Sequence, residues 1–214
     1  MDSHQMKWNE HAAKKIIEQL EKRGMDGSYA ASAAQAREEI IAMIPQGSKV
    51  SRCGSMTAVH MELWPRIAKI PGVEVIDPFV PGLSFEQALE PRLKGLMADV
   101  MITSTNAITL DGKLVNLDGL GNRVAAMIFG PKKVIVVAGM NKVVPDVESA
   151  MARIKNYSAP VNATRMNIKT PCVETGICTD CKSPDRICNM WTIIEGQRLK
   201  GRLHVKLIGE NIGY

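Results

Sequence analysis

"ADVMITSTNAITLDGKLVNLDGLGNRVAAMIFGPKKVIVVAG", residues 98–139, changes its periodicity three times, and those changes decide the fold. Residues 98–105 (ADVMITST) and 132–139 (KKVIVVAG) are short apolar runs rich in β-branched side chains, the pattern of strands covered on both faces. Between them, Asp111-Gly112 separates two β-type runs and predicts a tight hairpin, and RVAAMIF (123–129) reads as a helix.

The same alternation extends in both directions. Upstream, KVSRCG (49–54) is a strand ending in a glycine turn, TAVHMELWPRIAKI (57–70) a helix, VEVI (73–76) a strand, and SFEQALEPRLKGLM (84–97) a helix broken by Pro91. Downstream, VPDVESAMARIKNY (144–157) is a helix started by Pro145, and MWTIIEG (190–196) and RLHVKLIGE (202–210) supply two last strands. The expected class is therefore α/β, a mostly parallel sheet with helices on both faces.

Residues 1–46 read differently. In KWNEHAAKKIIEQLEKR (7–23), Trp8, Ala12, Ile16 and Leu20 fall at helical spacing before Gly24, and SYAASAAQAREEIIAMIPQG (28–47) repeats the pattern with Ser28 as N-cap and Pro45 as its end. The expected organisation is an N-terminal helical pair (1–46) packed on an α/β domain (47–214) that carries a cysteine loop at 170–189.

Composition narrows the function classes. A chain of 214 residues buries enough surface to fold without crosslinks. Its 27 Lys and Arg against 22 Asp and Glu give a net charge of +5 without a basic stripe, and Trp, Tyr and Phe number three each. Nucleic-acid binding needs clustered cations and stacking platforms, so a small anionic ligand suits this balance better. The start lacks a secretory pattern and no run of about 18 apolar residues occurs, so a cytoplasmic protein without membrane insertion is expected.

In open α/β sheets ligands bind at the carboxyl ends of the strands. Three loops lie there. The first offers Gly54, Ser55 and Thr57 at a helix start, where backbone N–H groups favour an anion; a plain N-cap is the alternative. The second offers Asn106, Asn116, Asp118, Gly119, Asn122 and Arg123, more amides and carboxylates than a hairpin requires. The third offers Lys142. These residues are expected to converge on one pocket, with Asp118 the nearest candidate for a catalytic carboxylate. Cys53 reads as a buried apolar thiol.

The other four cysteines crowd into one segment. Cys178 and Cys181 form a CxxC pair, with Cys172 six residues before it and Cys188 seven after. Four thiolates at such spacing can close around one metal centre, zinc or iron–sulfur. Two disulfides and four packed thiols are the alternatives; a reducing compartment disfavours the first and the polar setting of ETG, TD and KSPDR the second.

GSMT (54–57), the stretch from 98 to 144, APVNATR (159–165), TPCVETGICTDCKSPDRIC (170–188) and GENIGY (209–214) occur in an order that resembles the lactate-utilisation (LUD) domain family, from about residue 7 to the end. The resemblance implies the sheet architecture of glucosamine-phosphate deaminases, ribose-phosphate isomerases and CoA transferases. It also implies a small hydroxy- or keto-carboxylate or phosphate as ligand, and a place beside redox partner subunits in an iron–sulfur-dependent system oxidising lactate to pyruvate, with homo-oligomers possible. Two other readings stand beside it: an isomerase or CoA-transferase-like enzyme, and a non-catalytic sensor or assembly subunit with structural zinc. Against the enzyme, the position of the proton-transferring acid in related isomerases falls on Asn106, whose amide does not titrate usefully, and the loop cluster holds no glutamate for CoA transfer.

Overall fold

The computed structural model of the chain describes residues 2–214. In chain order the elements are α1 (Ser3–Lys22), β1 (Asp26–Ala30), α2 (Ala33–Ala42), β2 (Lys49–Arg52), α3 (Met56–His60), α4 (Leu63–Ile67), β3 (Glu74–Ile76), α5 (Leu89–Gly95), β4 (Val100–Thr103), β5 (Ala107–Thr109), β6 (Leu114–Asp118), α6 (Asn122–Ile128), β7 (Lys133–Gly139), β8 (Val143–Val144), α7 (Val147–Arg153), α8 (Ala159–Met166), α9 (Pro171–Thr175), β9 (Met190–Ile194) and β10 (Leu203–Ile208). A 3₁₀ turn spans Met140–Lys142, and a π-helical turn, Ile154–Ser158, joins α7 to α8.

Six strands form one sheet in the order β1-β10-β7-β4-β2-β3, and every neighbouring pair is parallel. The period of two along β7 splits the core between the two faces. Val134 and Val136 pack with Ile16, Leu20, Met101 and Met127, while Ile135 and Val137 pack with Ile40, Ile67, Val50 and Ile102. All these side chains are buried, and each contributes roughly 1.5–3 kcal/mol through burial. The expected α/β architecture is therefore present, and parallel pairing places the carboxyl ends of all six strands along one edge.

A second, four-stranded sheet, β8-β5-β6-β9, stands beyond that edge. The Asp111-Gly112 hairpin forms it, with β5 and β6 antiparallel and Gly112 in the left-handed region at φ 85. Residues 190–196 join this small sheet, antiparallel to β6, instead of the main one. The half-exposed sequence of β9 suits an edge position and not the inside of a doubly covered sheet.

The N-terminal region departs from a helical pair. Residues 26–30 form β1, an edge strand parallel to β10, and Ser28 lies within it; the N-cap of α2 is Ser32, whose hydroxyl accepts from Gln35 N at 3.2 Å. Pairing with a long parallel neighbour outweighs the single capping bond Ser28 offers. Trp8 is exposed, whereas Asn9, Ala12, Ala13, Ile16 and Leu20 are buried. Steps of four residues drift around a helix of 3.6 per turn, so Trp8 lies about 120° away from Leu20.

Two helices also differ from expectation. Residues 57–70 make two short helices, α3 and α4, separated at Glu62, which is left-handed at φ 54. Pro91 does not break α5 but sits in its first turn, where a missing N–H leaves no bond unmade. Among the described residues, no helix is long and apolar enough to cross a membrane.

Candidate functional site

Where β2, β4 and β7 end, three loops meet in one hydrogen-bonded network. Lys142, 2% exposed, donates through Nζ to Thr57 Oγ1 (3.0 Å), Ser104 Oγ (2.8 Å) and Thr105 O (3.2 Å). These acceptors are all neutral. No carboxylate lies within 4.0 Å of this ammonium among the described residues. Burial pushes Lys142 down to about 7, with help from the nearby Arg153 and Arg123 charges.

Arg123 ties the second part of the network together. Its Nη1 donates to Ser104 O (3.0 Å) and Asn116 Oδ1 (2.7 Å), its Nη2 to Asn106 Oδ1 (3.0 Å) and Leu117 O (3.4 Å), and its Nε lies 3.5 Å from Asp118 Oδ1. The guanidinium has five N–H donors, so this set leaves none free for a ligand. Arg123 thus spends its donors on holding the loop together. Asp118 is likewise committed, to Arg123 and to Val124 N at the start of α6 (3.4 Å).

Asn116 carries the opposite feature. Its side chain is fully buried and its Oδ1 accepts from Arg123 and Asn106 N, yet its Nδ2 has no partner. A buried N–H without an acceptor costs about 1–3 kcal/mol. An acceptor delivered there by a ligand removes that cost.

Arg153, on α7, escaped the sequence reading. It donates to Asn141 O (3.1 Å), Asn106 O (3.0 Å) and Ser158 Oγ (2.6 Å), and its guanidinium lies 5.3 Å from the Tyr157 ring centroid. The signal for it was present: an arginine directly before Ile154, beside the otherwise apolar face of Ala150 and Ile154. Ser104 and Thr105, from the same loop as Asn106, complete the network.

The convergence is therefore partial. Thr57, Asn106, Asn116, Asp118, Arg123 and Lys142 share the network. Ser55 is the N-cap of α3, its hydroxyl accepting from Ala58 N at 3.1 Å, and Gly54 lies beside Phe79. Gly119 packs on the backbone of Ile187, and Asn122 opens α6 with no bond into the network. Segment 212–213 lies across the cluster: Thr57 Oγ1 donates to Ile212 O (3.5 Å), and Asn141 Nδ2 to Gly213 O (2.9 Å). Cys53 is buried with its Sγ 3.4 Å from Met101 Sδ, and burial pushes its thiol up to about 12, the state of an inert packing cysteine.

A second feature lies in the segment before β9. Cys172, Cys178, Cys181 and Cys188 line a single cavity together with Thr170, Ala163 and Arg186. Thr170 Oγ1 lies 3.3 Å from Cys172 Sγ, and Arg186 donates to Cys181 O (2.6 Å) and Cys188 O (2.9 Å). No three His, Cys, Asp or Glu side chains among the described residues are grouped as ligands of one metal ion. The four cysteines share the lining of one cavity.

The LUD domain family model matches residues 13–208. A DUF162 family protein from Deinococcus radiodurans is similar in structure, with a TM-score of 0.50 and 15% identity over 94% of this chain and 96% of that one. Ribose 5-phosphate isomerase A from Methanocaldococcus jannaschii aligns at a TM-score of 0.38 and 15% identity over 76% and 78% of the two chains. The isomerase from Neisseria gonorrhoeae aligns at 0.33 and 12% over 58% and 65%; scores this low say nothing of function. No curated protein matches the chain.

Proposed function

This chain belongs to the LUD domain family, and from that premise we propose that it binds a small anion, a hydroxy- or keto-carboxylate or a phosphate, at the Lys142 network. The observation that carries the reading is a buried ammonium bonded only to neutral oxygens, close to two guanidinium groups, with the unpartnered Asn116 Nδ2 in the same network. Three cations against the single carboxylate of Asp118 leave positive charge that an anion neutralises in a site of low dielectric. Asn116 Nδ2 has the unused donor that would meet it; Lys142, whose three N–H groups are held by Thr57, Ser104 and Thr105, supplies charge, and Arg123 keeps the loop in shape.

The binding reading is favoured over acid–base enzymology. An isomerase needs a free carboxylate base, and the position of interest is Asn106, while Asp118 is engaged by Arg123. No glutamate belongs to the network as a nucleophile for CoA transfer. The family name ties the domain to lactate utilisation, and the finer reading is a subunit that holds lactate or pyruvate beside redox partner subunits.

Calorimetry with L-lactate, pyruvate and inorganic phosphate tests this. An anion beside Lys142 raises its pKa, so binding near neutral pH takes up a proton, and the heat then depends on the ionisation enthalpy of the buffer. Binding should weaken as pH rises past 8, and Lys142→Met should abolish it. No heat from any of the three at millimolar concentration, or binding that Lys142→Met leaves intact, sinks the reading.

A further inference from the structure

We propose that Cys172, Cys178, Cys181 and Cys188 bind a metal centre as thiolates, and that this centre fastens the loop 116–123 of the anion site. The first part stands on the cysteine cavity alone. The second rests on the anion-site reading above.

The four residues come from three places: the first turn of α9, the irregular stretch after it, and the approach to β9. Distant stretches of an irregular loop do not bring four thiols to one cavity through secondary structure. Apolar packing does not organise the stretch either, since Ile177 is 67% exposed and only Cys188 touches a hydrophobic cluster. Cys53 shows what a packing cysteine looks like in this chain, buried among Met101 and other apolar side chains. The loop cysteines share their cavity with Thr170, Thr179 and Arg186 as well as with Ala159, Pro160, Ala163 and Ile187.

The surrounding charges suit thiolates. Arg186 bonds to the carbonyls of Cys181 and Cys188 and to Asp180 Oδ1 (3.1 Å), which fixes a cation at the cavity wall. All five cysteines of the chain are free thiols. Each thiol that ligates loses its proton to solvent and gives its electron pair to the metal, so loading with zinc releases up to four protons per centre and needs no oxidant, while an iron–sulfur core takes its ferric ions from supplied ferric iron and its sulfur from inorganic sulfide. Cysteines that line one cavity can close on one zinc ion with Zn–S bonds of about 2.3 Å, or hold a polynuclear iron–sulfur core in place.

The loop is joined directly to the anion site. Asn189 N donates to Asp118 O (2.9 Å) and Asn189 Nδ2 to Gly119 O (3.1 Å), and Gly119 approaches the Ile187 backbone so closely that a Cβ would crowd it. Closing the cysteines therefore restrains Ile187 and Asn189, and through them the backbone that carries Asp118 and leads to Arg123.

The experiment uses the full chain purified without oxygen. Metal content, acid-labile sulfide and the visible spectrum are measured on wild type, Cys178→Ser, Cys181→Ser and Cys53→Ala, each before and after reconstitution with zinc or with iron and sulfide. Hydrogen exchange then follows residues 116–123. Expected are one zinc per chain in colourless protein, or iron with matching sulfide in brown protein, retained by Cys53→Ala. Each serine variant should weaken retention against a chelator by more than the roughly 10–100-fold that losing an outer-shell partner costs. Exchange at 116–123 should quicken on metal loss. Protein that takes up no metal under any condition, a disulfide between any two of the four, or serine variants that retain metal like wild type overturns the centre. Unchanged exchange overturns the coupling alone. A loaded centre in protein that binds none of the three anions leaves the metal centre standing and removes the anion-site reading.

Discussion

Replacing Lys142 by methionine keeps the length and volume of the side chain but removes its titration, and the consequence follows from burial. Its ordinary value is 10.5 and the fold lowers it to about 7. Between those values the unfolded chain binds a proton that the folded chain does not, so wild-type stability rises with pH across that window, and the full penalty is present below pH 7. One proton corresponds to about 1.4 kcal/mol per pH unit. Because the folded group is half protonated at pH 7, the expected gain between pH 7 and 9 is about 2 kcal/mol. The hydrogen bonds to Thr57, Ser104 and Thr105 and the packing of the stem are lost or kept equally at both pH values, so they cancel when the two proteins are compared. Urea denaturation of both proteins at pH 7, 8 and 9 is the assay: the wild-type free energy should climb relative to Lys142→Met by about 2 kcal/mol. Parallel curves, within about 0.5 kcal/mol, would mean that Lys142 is charged in the folded protein and that its environment compensates the charge.

Arg123→Ala removes a buried donor from Ser104 O, Asn106 Oδ1 and Asn116 Oδ1, the two amide oxygens keeping one backbone donor each, and should cost roughly 1–3 kcal/mol in urea denaturation, above the cost of removing an exposed arginine. Gly213→Ala places a Cβ against Thr57 Oγ1 at a backbone φ of 68, and should lower the melting temperature with a penalty of about 1 kcal/mol or more; an unchanged melting point would show that segment 212–213 does not rest on the cluster. In chelator-treated protein at pH 8, mass spectrometry should find four cysteines alkylated quickly by iodoacetamide and Cys53 labelled only on unfolding, because burial holds its thiol near 12.

The sequence alone determined the class of the fold. Short apolar runs at 49–54, 98–105, 132–139 and 202–210 are each local statements about a strand, and each forms one. Asp111-Gly112 dictates its hairpin in the same way, since the turn requires a residue tolerant of positive φ. The cysteine spacing set the expectation of one loop with four thiols, while their sharing of a cavity is read from the fold.

Tertiary structure decided the rest. Residues 26–30 become a strand only because β10, some 180 residues away, offers a parallel partner, and β9 leaves the main sheet because β6 accepts it on the other side. Arg123 looks like a ligand-binding residue in sequence, yet its donors are absorbed by carbonyl and amide oxygens and the Asp118 carboxylate of the β4–β5 connection and β6, a pairing no local pattern records. Lys142 is the reverse case: an ordinary lysine on paper, it is driven to near-neutral titration because three loops close over it and supply only neutral oxygens. Charge and hydrogen bonding inside a protein depend on which groups share a small volume of low dielectric, and that volume exists only once the chain has folded.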